Sequence, residues 1–102
     1  MDCIFCKIIA KHIPSKIEFE DDLSVVIQDL HPKSKIHLLI VPKKHISTIA
    51  EAHDDDDALL GHLTLVARDM AAKLGLNGYK LQYNVGKEGG QEIFHIHMHL
   101  LG

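Results

Sequence analysis

Three histidines occupy every second position near the end of this chain, in the run His95-Ile96-His97-Met98-His99-Leu100-Leu101. Strand side chains alternate between faces, so a strand here sets three imidazoles on one side and Ile96, Met98 and Leu100 on the other. The apolar side can join a core. The imidazole side then presents groups that attack, donate, accept or bind metal near neutral pH.

The rest of the chain narrows what such a row can serve. At 102 residues the sequence reads as one domain spanning 1–102, long enough for a single core without staples. A net charge of -3, with only 11 basic residues, excludes the electrostatic footprint of a nucleic-acid binder. No apolar run has the length of a membrane span. The segment Met1–Cys6 lacks the basic and apolar regions of a signal peptide, so a cytoplasmic location is expected. In that setting Cys3 and Cys6, in C-x-x-C spacing, point to metal or redox chemistry before a structural disulfide.

Periodicity places the elements. Ile4, Ile8 and Ile9 share a stripe, which predicts a short helix over Cys3–Lys11, ended by Pro14. Lys16–Glu20 alternates and Leu23–Ile27 is β-branched and apolar; Asp21-Asp22 turns between them, without the glycine of a strong hairpin signal. Ile36–Val41 is a third strand, closed by Pro42. The apolar positions from Leu59 to Leu74 keep a helical period, which predicts a long helix over Ala58–Leu74 with Gly75 at its C-terminal cap. The run Asp54–Asp57 before it fits N-terminal capping and dipole compensation better than a cation site. Lys80–Val85 is a fourth strand, the glycine loop Gly86–Gln91 follows, and the fifth strand carries the histidines. The expected class is α+β, a five-stranded mainly antiparallel sheet with one short and one long helix.

A short loop between strands four and five would pair them as a hairpin and bring Asn84 and the glycines beside the histidine row. Glycines let backbone amides converge on an anion. Imidazoles facing such a nest suit phosphoryl transfer at histidine: one neutral ring attacks phosphorus while others donate to its oxygens or to the leaving group. The same histidines, in H-x-H spacing, also suit a catalytic zinc; Asn84 and the glycines favour phosphate. Cys3 and Cys6 form half of a structural zinc site, with His45 and His95 as candidates for the other half, or they are packed thiols. Asp29 alone reads as a turn residue before Pro32. Ile4, Phe5, Ile8, Ile27 and Leu30 read as core.

The histidine row with Asn84 and Gly89-Gly90-Gln91 resembles the histidine triad (HIT) superfamily, whose signature is H-x-H-x-H followed by two hydrophobic residues. The resemblance runs through Cys3–Ile9, Ile13-Pro14, Phe19–Asp22, Asp29, His37–His45, Leu60–His62 and the ending His99–Gly102, and is to the Hint branch, the nucleoside phosphoramidate hydrolases. It implies a protomer that dimerises into a ten-stranded sheet. It also implies hydrolysis of purine nucleoside 5′-phosphoramidates through a nucleotidyl-histidine intermediate, with purine mononucleotides as ligands. His97 matches the nucleophile and His99 the residue that contacts phosphate and assists the leaving group. His95 matches the first triad histidine and His37 an upstream histidine near it. Asn84, Gly90, Gln91 and Glu92 fall where the family holds phosphate; Glu92 stands where animal Hint proteins carry serine and bacterial relatives often carry Glu. Asp29 falls at the ribose position, and Ile4, Phe5, Ile8, Ile27 and Leu30 line the base pocket. The C-x-x-C pair resembles zinc-containing bacterial relatives, whose other ligands correspond to His45 and His95. That implies a bacterial source and a structural zinc that leaves His97 and His99 uncoordinated. The sequence stops at Gly102, where Hint proteins usually continue with a segment that influences substrate selection. Two rival readings are a nucleotide-binding interaction protein with an idle triad and a dinucleoside polyphosphate hydrolase of the Fhit type. A metalloenzyme built on the three histidines is a third.

Overall fold

The computed structural model describes residues 3–102. The order of elements is α1 (Ile4–Ile9), β1 (Ile17–Glu20), β2 (Ser24–Gln28), β3 (His37–Pro42), α2 (Asp57–Lys73), β4 (Lys80–Gln82) and β5 (Met98–Leu101), with 3-10 turns at Ile49–Glu51, Asp54–Asp56 and Lys87–Gly89. The strands form one antiparallel sheet in the order β1-β2-β3-β5-β4. This is the α+β class expected from the sequence.

Alternation along the strands sorts side chains into two cores. Val26, Leu38, Ile40, Met98 and Leu100 face α2, where Leu63, Val66, Ala67 and Met70 cover them. Val25, Ile27, Leu39 and Val41 face the other way, against Cys3, Phe5 and Ile8 of the α1 segment. The central strand β3 is buried along its whole length, which is why it reads as a continuous apolar run rather than an alternating one.

Local chemistry explains the ends. Both helices close with Schellman hydrogen bonds. After α2, Leu76 N–H donates to Ala71 and Gly75 N–H to Ala72, with Gly75 at φ 71°. After α1, His12 donates to Lys7 and Lys11 to Ile8, with Lys11 itself at φ 65°. That positive φ ends α1 at Ile9, two residues before the expected Lys11, because the helical ladder cannot continue through it. The β1–β2 turn has no glycine. Asp21 compensates, its Oδ1 accepting from Leu23 N, Ser24 N and Ser24 Oγ, while Oδ2 pairs with His62 of α2 at 2.7 Å. Of the aspartate run, Asp54–Asp56 form their own 3-10 turn and Asp57 opens α2. Asp56 accepts from His53 N and pairs with Lys44.

The hairpin expectation needs correction. β4 and β5 do pair, Gln82 opposite His99, but the ladder covers only 80–82 and 98–101, and residues 83–97 form a long excursion. Gly86 and Gly90, at φ 75° and 87°, turn the chain out of the sheet. Only His99 of the three histidines lies in a strand; His95 and His97 precede it in irregular backbone. The alternation of faces nevertheless persists, since Ile96 joins Met98 and Leu100 in the core under α2.

Candidate active site

A cleft of about 420 Å³ opens beside α1, and its wall brings together residues from distant parts of the chain. Ile4, Phe5, Ile8, Ile27, Asp29, Leu30, His37, Asn84, Gly90, Glu92, His97 and His99 all line it. Phe5, Ile8 and Ile27 are buried in the core and form its apolar floor. Ile4 is half-exposed, and Leu30 is 86% exposed, so Leu30 is rim rather than floor. Of the residues that the resemblance assigned to catalysis or to phosphate, two lie elsewhere. Gln91 and His95 are buried and take no part in the wall.

The hydrogen bonds assign a tautomer to each histidine. His97 Nδ1 sits 2.8 Å from the carbonyl of His95, so Nδ1 donates and the other nitrogen, Nε2, keeps a lone pair. Phe5 packs edge-on against this ring at 5.0 Å and orients it. Lys33 N–H donates to His37 Nδ1 at 2.9 Å, which leaves the proton of His37 on Nε2. That Nε2–H donates to His99 Nδ1 at 2.8 Å. His99 therefore carries its own proton on Nε2, an atom that is buried and without a partner among the described residues. One ring thus presents a lone pair and its neighbour, 5.1 Å away between centroids, a proton. Burial holds both His37 and His99 below the ordinary histidine range, against the opposing pull of the Asp29 carboxylate, so the neutral form of each prevails at pH 7. The sequence had no signal for Lys33, because its contribution is a backbone amide.

Asp29 Oδ1 accepts from His31 N, and Oδ2 lies 3.4 Å from His37 Nε2. Asp29 lines the cleft, and its carboxylate has acceptor capacity beyond these two contacts. Asn84 Oδ1 accepts from Gln82, which leaves the Asn84 NH2 to donate.

The glycine nest is the second expectation that needs correction. The amides of Gly89 and Gln91 both donate to Gly86 O, and that of Gly90 donates to Lys87 O. These three N–H groups close the loop upon itself instead of pointing at an anion. The 3-10 turn at Lys87–Gly89 consumes them.

A second constellation lies behind the first. Cys3 Sγ is 3.3 Å from His95 Nδ1, Cys6 Sγ is 3.4 Å from His45 Nδ1 and 3.6 Å from His95 Nδ1, and the two Nδ1 atoms are 3.0 Å apart. All four donor atoms lie within 4.8 Å of one another. A tetrahedral metal with bonds of about 2.3 Å to sulfur and 2.0–2.1 Å to nitrogen would give edges of roughly 3.3–3.8 Å. The sulfur–nitrogen spacings fit and the nitrogen–nitrogen spacing falls about 0.3 Å short of that range, and the chemistry fits too. His95 Nε2–H donates to the Pro42 carbonyl at 2.8 Å, so its Nδ1 lone pair points inward at the thiols. These residues can hold a metal ion. Burial places His95 in this group and away from the cleft wall.

The remaining grouping of possible ligands, Asp29, His37 and His99, is organised differently. The Lys33 amide already claims His37 Nδ1, and the proton on His37 Nε2 occupies the space that a cation would need.

The α+β sheet, with its histidines divided between an open cleft and a buried Cys/His group, can be compared with known proteins. The family model described as "Scavenger mRNA decapping enzyme C-term binding" matches residues 2–102. An uncharacterized HIT-like protein of Synechocystis is 45% identical over 102 residues, spanning 99% of this chain and 90% of the relative. A HIT family hydrolase from Legionella pneumophila superposes with a TM-score of 0.97 at 47% identity, covering 99% of this chain and 92% of that one. A histidine triad nucleotide-binding protein from Candida albicans superposes at 0.87 with 32% identity, covering 97% and 73% respectively. The chain belongs to the histidine triad superfamily.

Proposed function

We propose that this protein hydrolyses purine nucleoside 5′-phosphoramidates, the reaction of the Hint branch. The observation that carries the reading is the pair of opposite tautomers, a lone pair on His97 Nε2 beside a proton on His99 Nε2. The His97 Nε2 lone pair attacks phosphorus as the P–N bond breaks; His99 Nε2–H holds the departing amine nitrogen by a hydrogen bond, and that nitrogen takes its proton from solvent water. The product is a nucleotidyl-histidine. Water then attacks phosphorus, the P–N bond to His97 breaks, the proton of the attacking water passes to solvent, and the nucleoside monophosphate leaves. Asn84 donates to the phosphoryl oxygens, Asp29 accepts from the ribose hydroxyls, and the floor of Phe5, Ile8 and Ile27 receives the flat base.

The neighbours described as a hydrolase and as nucleotide-binding support this reading. The Cys3–Cys6–His45–His95 group is proposed to hold a structural zinc. Four protein ligands close its shell, so it supplies rigidity rather than a position for substrate. The protein is proposed to act as a homodimer in the cytoplasm. A turnover screen of adenosine phosphoramidates and dinucleoside polyphosphates tests the assignment: amine release from the former is expected. Preference for the polyphosphates, or mononucleotide binding with no turnover of either, would replace it with one of the rivals.

A further inference from the structure

The side chain of Gln91 is 5% exposed and every polar atom on it is engaged. Oε1 accepts from Gly86 N at 2.9 Å. Nε2 donates to Ser47 O at 2.8 Å and to Ile93 O at 3.0 Å. Its backbone N–H also donates to Gly86 O at 3.0 Å. A primary amide offers two donors and one strong acceptor, and all three are spent on backbone. None is available to a phosphate.

These bonds join three segments. Gly86 opens the glycine loop, Ile93 leads to the nucleophile, and Ser47 follows His45 on the chain leaving β3. A further bond, from Ile96 N to Ile46 O at 2.8 Å, runs beside them. The geometry assigns Gln91 as a positioning residue. It staples the loop that carries Asn84 to the segment that carries His97, and so sets the distance between the proposed phosphate donor and the proposed nucleophile. The role runs through backbone that must otherwise bend freely at Gly86 and Gly90, both at positive φ. A side chain reaching across the loop supplies the rigidity that glycines withhold.

The kinetic part of the test rests on the proposed phosphoramidate chemistry; the binding and spectroscopic parts do not. Gln91→Glu keeps the shape and the acceptor but removes both donors, leaving the Ser47 and Ile93 carbonyls facing a carboxyl group. The staple predicts a fall in kcat of about 10²-fold, with KM changed far less, because misplacement by about 1 Å is felt mainly at the reacting atoms. Adenosine affinity should be unchanged. In the wild-type protein, the Gln91 side-chain NH2 resonances should exchange slowly with solvent and stay in place on titration with AMP. A large shift of those resonances on AMP binding, or wild-type kcat in a folded Gln91→Glu protein, overturns the assignment. If the variant does not fold, the wild-type spectrum decides. If the wild type fails to turn over phosphoramidates, the proposed function falls, while the wild-type spectrum and its response to AMP still decide the role of Gln91.

Discussion

At the scale of single residues, protons decide what the histidines do. The His95 carbonyl and the Lys33 amide, both backbone groups, set the tautomers of His97 and, through His37, of His99. His97→Ala is expected to abolish amine release from an adenosine phosphoramidate and to leave AMP affinity within a few-fold of wild type, as measured by calorimetry; the nucleophile is lost while Asn84, Asp29 and the apolar floor remain. Near wild-type turnover in this variant would refute the covalent route. Stability also has a pH signature at this scale. His37 and His99 titrate below the ordinary value of 6.5 in the folded chain because they are buried. As pH falls below 6.5 the unfolded chain takes up protons that the folded chain refuses, so stability is full above that pH and declines below it. Denaturant midpoints followed from pH 7.5 to 5 should fall, and fall less steeply in His99→Gln, which cannot titrate. An equal slope in both proteins would show that His99 carries no such linkage.

At the scale of elements, the patterns in the sequence translate well wherever the structure is periodic. β3, α2 and the alternating faces of β5 follow from apolar spacing, with boundaries shifted by one residue in places: the long helix runs Asp57–Lys73 instead of Ala58–Leu74. Gly75 sits at the expected cap, in the left-handed region. Gly75→Ala should destabilise the fold by about 1 kcal/mol through that backbone strain alone, since no atom lies within 4 Å of the position of an added Cβ. Chemical denaturation measures it, and an unchanged midpoint would mean that the cap contributes nothing. Residues 83–97 were the least legible stretch. Glycines announce a turn but not its length, and nothing local reveals that Gln91 reaches Ser47 or that loop amides satisfy one another. The nest expectation failed for that reason.

At the scale of the whole molecule, two features extend beyond the sheet. β4 is the terminal strand, exposed along its whole length, and Leu65, Tyr79 and Leu81 are exposed apolar side chains. Unpaired strand edges seek partners, and a two-fold axis would cover edge and side chains together. Sedimentation should therefore give the mass of a dimer; a monomer at micromolar concentration would exclude the ten-stranded sheet. Metal analysis should find about one zinc per chain, lost in Cys3→Ser/Cys6→Ser together with thermal stability, while some activity persists because His97 and His99 stand outside the group. A metal-free wild type, purified without chelator, would leave the cysteines as packed thiols. No helix among the described residues is long and apolar enough to cross a membrane. The sequence alone determined the α+β class, the two faces of the histidine run and the inventory of reactive side chains, because those depend on local periodicity and residue type. Only the tertiary structure decided which histidine meets which surroundings. His95 differs from His97 not in its side chain but in what surrounds it, the Pro42 carbonyl and two thiols in place of an open cleft. Those surroundings come from α1, β3 and the loop before β5, segments that meet only when the sheet closes.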